Sequence, residues 1–228
     1  MEITPFALAF GKSLLFALAA ILPIINPLAS APVFIDMTRH LDRPTRVMLA
    51  RRIGQHVIML LVGAMLVGSY VLHFFGISLP IVRVAGGLVV ASVAWRMLGA
   101  QQVTGDDQAQ MAQSVSESNV RIRAFYPLTF PLTCGPGSIA VAITVGASLH
   151  TPRVTESLVN FIGGLVAVVL VGALVGLTFR YAARLLRPLG EVGQIVFLRL
   201  MAFLLLCIGV QIVWDGVSAL VATLPVNS

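Results

Sequence analysis

The chain has 228 residues, 58% of them hydrophobic and 11% charged, with a mean hydropathy of +0.96. A soluble domain carries about a quarter charged residues, so the sequence is that of an integral membrane protein with little material left for a soluble domain. Its net charge of +6 and pI of about 10.4 would suggest nucleic acid in a soluble chain, but the arginines sit between apolar runs and no basic face with interleaved aromatics exists, so a nucleic-acid partner is not indicated.

Six apolar segments follow one another, at 13–36, 53–75, 77–100, 124–149, 155–179 and 195–222. Each is long enough to cross a hydrocarbon core of about 30 Å as a helix rising about 1.5 Å per residue. The first begins "KSLLFALAAIL" and continues to "LASA", a loose likeness to a signal peptide with its cleavage site. Glu2 in the leading region and Asn26-Pro27 in the approach to the cleavage site speak against removal, and the segment reads as the first span. Within it "LPIINPLASAP" (22–32) places an asparagine and three prolines where a membrane helix is expected. Proline removes a backbone donor and clashes with the preceding turn, and in lipid each freed group needs another partner.

The connection after the first span, "TRHLDRPTRVMLARR", carries Arg39, Arg43, Arg46, Arg51 and Arg52. The second connection offers only Arg83, beside the third span. Residues 101–119, "QQVTGDDQAQMAQSVSESN", read as a flexible polar linker and are followed by Arg121 and Arg123. Arg153 is the one basic residue of the fourth connection, and Arg180, Arg184 and Arg187 mark the fifth. Excess Lys and Arg mark cytoplasmic loops, so connections one, three and five are expected in the cytoplasm and both termini outside it.

The linker divides the chain into a first three-helix repeat (1–100), a cytoplasmic linker (101–120) and a second three-helix repeat (121–228). Because three is odd, the second copy would enter from the opposite side, an inverted repeat. "VRVAGGLVVASVAW" in the third span and "LRLMAFLLLCIGVQ" in the sixth share an arginine at the head, Arg83 and Arg199, and an apolar cadence. The fourth span carries "FPLTCGPGSIA" (130–140), whose Pro136 can be laid over Pro27. Pro127, Pro131 and Pro136, with Gly135 and Gly137, make a continuous helix through 127–137 improbable. The expected fold is therefore an all-α integral membrane protein of six transmembrane helices in two inverted three-helix repeats, the first and fourth helices broken.

Paired interruptions in corresponding spans point to a transporter binding site. A half-helix starting at a break presents bare N–H groups and a positive dipole end that favour a carboxylate; one ending there presents carbonyls for an ammonium or a cation. Asn26, Pro27, Leu28, Ala29 and Ser30 in one span and Thr133, Cys134, Gly135, Pro136, Gly137 and Ser138 in the other are the candidate substrate-binding residues. Ser30, Thr133 and Ser138 add hydroxyls and Asn26 an amide. Single prolines in membrane helices are commonly plain kinks, and the kink remains the competing account of each.

Ionisable residues, among them Lys12, Asp36, His56, His73, Arg83, Arg96, Arg199 and Asp215, lie near span ends. An intramembrane charge normally marks function, and none is central here. A small solute neutral overall, such as a zwitterion, fits opposed backbone dipoles alone. Asp36 and Asp215 are the candidates for any proton coupling, with interfacial capping or pairing as the simpler account. Trp95 and Trp214 suit interfacial anchors; "GALVG" (172–176), Gly86-Gly87 and Gly163-Gly164 suit close helix contact. Asn160 and Gln211 are candidates for a pathway lining or for ordinary interhelical bonds. Cys134 and Cys207 suit small buried apolar residues. No HExxH, GxSxG or phosphate loop is present; "CGPGS" has no histidine placed to activate it, and the four histidines are scattered. Neither an enzyme, a cofactor nor a metal site is expected.

"LPIINPLASAPVF", "FGISLPIVRVAGGLVVA", "PLTFPLTCGPGSIAVAI" and "RLMAFLLLCIGVQIVWDGV" resemble, in this order, four blocks of the MarC family of bacterial inner-membrane proteins. The resemblance covers nearly the whole chain and is weakest in 101–119. It implies a place in the LysE-like transporter superfamily, a location in the bacterial inner membrane, and, by likeness to the SnatA members, transport of small neutral amino acids such as glycine and alanine, held at Asn26-Pro27 and Gly135-Pro136-Gly137. Efflux of hydrophobic drugs or metabolites is the alternative within transport, and a non-transporting membrane scaffold or stress-response component the alternative outside it. Only 7% aromatic residues argue against a drug-sized aromatic cavity.

Overall fold

The computed structural model describes residues 4–99, 124–126, 128–151 and 153–222. The linker, Pro127, Arg121 and Arg123 lie outside the described residues. The elements are α1 (Thr4–Ile25), α2 (Pro27–Thr38), α3 (Arg43–Phe74), α4 (Leu79–Gly99), a π-helical segment (Leu128–Thr133), α5 (Pro136–Ser148), α6 (Val154–Leu186), a 3-10 turn (Arg187–Leu189) and α7 (Gly190–Val221). No strand occurs among the described residues.

Five of the six apolar segments are helical and long enough to cross a membrane: Phe6–Thr38, Arg43–Phe74, Leu79–Gly99, Val154–Leu186 and Ile195–Val221. The first of these is α1 and α2 together, interrupted at Asn26. The remaining segment is divided between the π-helical residues and α5, whose 13 residues reach only about 20 Å against a core of about 30 Å.

Helix ends depart from the hydropathy reading. α3 starts at Arg43, ten residues before the apolar segment at 53, and α6 runs on to Leu186. Arg51, Arg52, Arg180 and Arg184, expected in connections, are thus helical. Arginine is a good helix former, so the helix continues where hydropathy falls. Arg46 binds the tight connection that remains after α2: its Nη2 donates to Thr38 O (3.1 Å) and Leu41 O (3.2 Å).

In lipid no hydrophobic force drives helices together, and small residues set the contacts. A Cβ added at Gly54 of α3 would lie 2.6 Å from Gly172 O of α6, so "GALVG" faces α3. α4 and α7 approach equally closely: a Cβ at Gly87 would lie 2.8 Å from Gly209 O, one at Gly209 2.6 Å from Ala91 N, and one at Gly216 2.8 Å from Pro80 O. As residue numbers rise on one helix of each pair they fall on the other, so both pairs are antiparallel. Across the halves, Gly163 of α6 abuts Ser13 and Phe10 of α1, and Gly146 of α5 abuts Met65 of α3. Phe34 of α2 stacks on Phe179 of α6 with centroids 4.6 Å apart. One buried cluster joins Ile21, Phe34, Ile53, Leu61, Val145 and Val171, while Phe74, Trp95 and Trp214 point outward, as side chains facing lipid do.

Candidate functional site

The first break is one residue wide. Pro27 has no N–H for a carbonyl in α1 but fits the first position of a new helix, where that donor is not needed. Asn26 makes the turn in the left-handed region (φ 38°, ψ 67°), which asparagine tolerates better than most side chains. Its Oδ1 accepts from Ala29 N (3.3 Å), and its carbonyl accepts from Ala29 N (3.1 Å), Ser30 N (3.3 Å) and Ser30 Oγ (3.4 Å). The α2 start is therefore largely capped from within. Residues 27–30 are helical, so the unwound turn expected at this break narrows to Asn26. On the other side, the carbonyls of Pro23 and Ile25 lack the usual donor four residues on: Pro27 has no N–H and Ala29 turns to Asn26.

The second break is wider. Phe130 leaves helical geometry (φ −115°, ψ 126°), Cys134 N donates to Thr129 O at 2.8 Å, and Cys134 and Gly135 separate the π-helical segment from α5. Gly135 stands at the α5 N-cap with no side chain to cap it. Pro136 occupies the first position, so Gly137 and Ser138 present their N–H groups at the positive end of the helix. The hydroxyl of Ser138, only 4% exposed, makes no hydrogen bond among the described residues. Thr133 differs from the expectation: its hydroxyl is held by Leu128 O at 2.7 Å, and Thr129 is held by Ala124 O at 2.6 Å. Cys134 is buried in the main core, Pro136 and Leu28 are exposed, and Ala29 and Pro27 are buried.

The second break rests on α4, and the first lies beside a buried cluster shared by α4 and α7. A Cβ at Gly137 would strike Val90 Cγ2 and lie 3.3 Å from Gly86 O, and Ile24, two residues before Asn26, packs on the Val90, Ala94 and Leu205 cluster. α2 also touches the π-helical segment directly. Between α1, α4, α5 and α7 lies a cavity of about 380 Å³. Ile24 and Ala140 line it beside the breaks; Arg83, Thr144, Gln211 and Asp215 line it farther toward the side where α1 begins and α7 ends. The sequence marks Arg83, Gln211 and Asp215 singly and does not mark Thr144, and only the antiparallel α4–α7 contact brings Arg83 to Gln211 and Asp215. Among the described residues no three His, Cys, Asp or Glu side chains gather as a metal site.

The model of the MarC family of integral membrane proteins matches residues 11–221 of this chain. Similar proteins include the UPF0056 inner membrane protein MarC of Escherichia coli strain K12 and its counterpart in Shigella flexneri, each 32% identical over 220 residues covering 93% of this chain and 97% of the relative. No solved structure matches.

Proposed function

The chain belongs to the MarC family of integral membrane proteins, and from that premise we propose that it is a secondary transporter of small neutral amino acids, of the glycine and alanine class, working by alternating access. It acts in the bacterial inner membrane, where its relatives are named, with both termini periplasmic by the arginine pattern. One observation carries the reading: the first break lies beside the Val90, Ala94 and Leu205 cluster and the second against Val90 and Gly86, one leaving the carbonyls of Pro23 and Ile25 without their usual donors and the other presenting bare amides at Gly137–Ser138. The carbonyls suit an ammonium and the amides a carboxylate, so a zwitterion satisfies both. No residue acts as an enzyme nucleophile in this reading, and the partners are the solute and the bilayer.

The helix contacts are compatible with six spans in two inverted halves. Exchanging the halves turns the α1–α6 contact into the α3–α5 contact and returns the antiparallel α3–α6 and α4–α7 pairs to themselves, the behaviour of a two-fold axis in the membrane plane. The cavity, near the lower end of the usual range for ligand sites, favours a small solute over a bulky drug. Purified protein in liposomes preloaded with alanine should exchange it for external labelled alanine or glycine. No exchange across a panel of amino acids, with proton and sodium gradients in either direction, overturns the proposal.

A further inference from the structure

We infer that Arg83, Thr144 and Asp215 form a second station for the zwitterion, separate from the helix breaks and nearer the side where α1 begins and α7 ends; this rests on the transporter reading above. Six residues of α5 separate Ser138 from Thr144, about 9 Å along the helix.

Arg83 is half-buried on the cavity wall beside the apolar Phe16 and Ile212. Among the described residues its guanidinium makes neither a hydrogen bond nor an ion pair. A guanidinium within a membrane span normally pairs or meets water or solute. Asp215 lines the same cavity, yet no arginine or lysine nitrogen of the described residues lies within 4.0 Å of it. Gln211 Nε2 holds its Oδ1 at 2.8 Å from one turn away, which leaves Oδ2 open. Thr144 Oγ1, on the wall between the two charges and the breaks, is buried with no partner among the described residues, a condition that is unfavourable unless something arrives to satisfy it.

A cation and an anion thus share one small cavity without closing on each other. An α-amino acid supplies the missing halves. Its carboxylate takes the forked donors of Arg83, and its ammonium takes Asp215. The station is neutral overall, so a ligand bearing only one charge engages only one of the two groups and forgoes the other charge-assisted contact. The station therefore selects zwitterions before they reach the breaks, where backbone dipoles alone would discriminate less.

The test is alanine exchange by full-length protein in liposomes, with propionate and alaninamide as competitors that each lack one charge. Arg83→Gln and Asp215→Asn should each raise the half-saturating alanine concentration about tenfold or more, the loss of one charge-assisted contact, with maximal exchange little changed. Arg83→Gln should also make alaninamide a better competitor relative to alanine, and Asp215→Asn should do so for propionate. Arg83→Lys and Asp215→Glu should recover much of the affinity, which separates recognition from misfolding. Half-saturation within twofold of wild type in both neutral variants, with the competitor ranking unchanged, overturns the station while leaving the transporter reading intact. A wild-type protein that exchanges no amino acid removes both.

Discussion

At Asn26 a single side chain reverses the backbone and caps the next helix, and the carbonyls of Pro23 and Ile25 lose their usual donors. Asn26→Ala loses both the tolerance of the left-handed conformation and the cap, about 1 kcal/mol each, so the melting temperature should fall by several degrees. Asn26→Gly keeps the conformation and should melt within a degree or two of wild type; thermal melts in detergent compare them. Gly137 is held by space rather than by conformation, since a Cβ there meets Val90. Gly137→Ala should cost about 1–3 kcal/mol as overpacking, and Val90→Ala should recover part of it in a double-mutant cycle. The two positions were legible because proline and asparagine inside an apolar run have a backbone meaning that needs no neighbours. Thr133 was not legible: whether a threonine hydroxyl turns to solute or to the carbonyl of Leu128 depends on the local winding, and a π-helical turn brings that carbonyl within reach.

Helices here hold together through glycine faces. A side chain at Gly209 would enter the backbone of α4 at Ala91, so Gly209→Leu should separate α4 from α7 and sharply lower the yield of monodisperse protein in size-exclusion chromatography. Gly63, exposed and with nothing within 4 Å of an added Cβ, serves as the contrast. Gly63→Ala should stabilise by about 0.5–1 kcal/mol through helix propensity. The sequence marked Gly86-Gly87, Gly163-Gly164 and "GALVG" as contact faces, and these do face other helices. It did not mark which helix each would meet, because glycine spacing carries no partner label. Hydropathy likewise closed the second span at Ile53 although the helix begins at Arg43; arginine ends an apolar window without ending a helix.

Across the whole molecule, the two halves cannot be separated, because α1 rests on α6 and α3 rests on α5. The breaks lie far apart in sequence and come near one cluster, that of Val90, Ala94 and Leu205, only through that interlocking, so their existence was readable and that placement was not. The arginine pattern assigns both ends of the chain to the outside of the membrane. Alkaline phosphatase fused to either terminus should be active and green fluorescent protein dark in intact cells; the reverse at either end contradicts the proposed orientation. The most direct measurement is a cryo-EM structure of the full chain at saturating alanine. The account predicts density for the amino acid between the carbonyls of Pro23 and Ile25 and the amides of Gly137–Ser138, its carboxylate toward α5. Alanine bound only elsewhere, or the same region closed by a continuous helix with saturating ligand present, would contradict it.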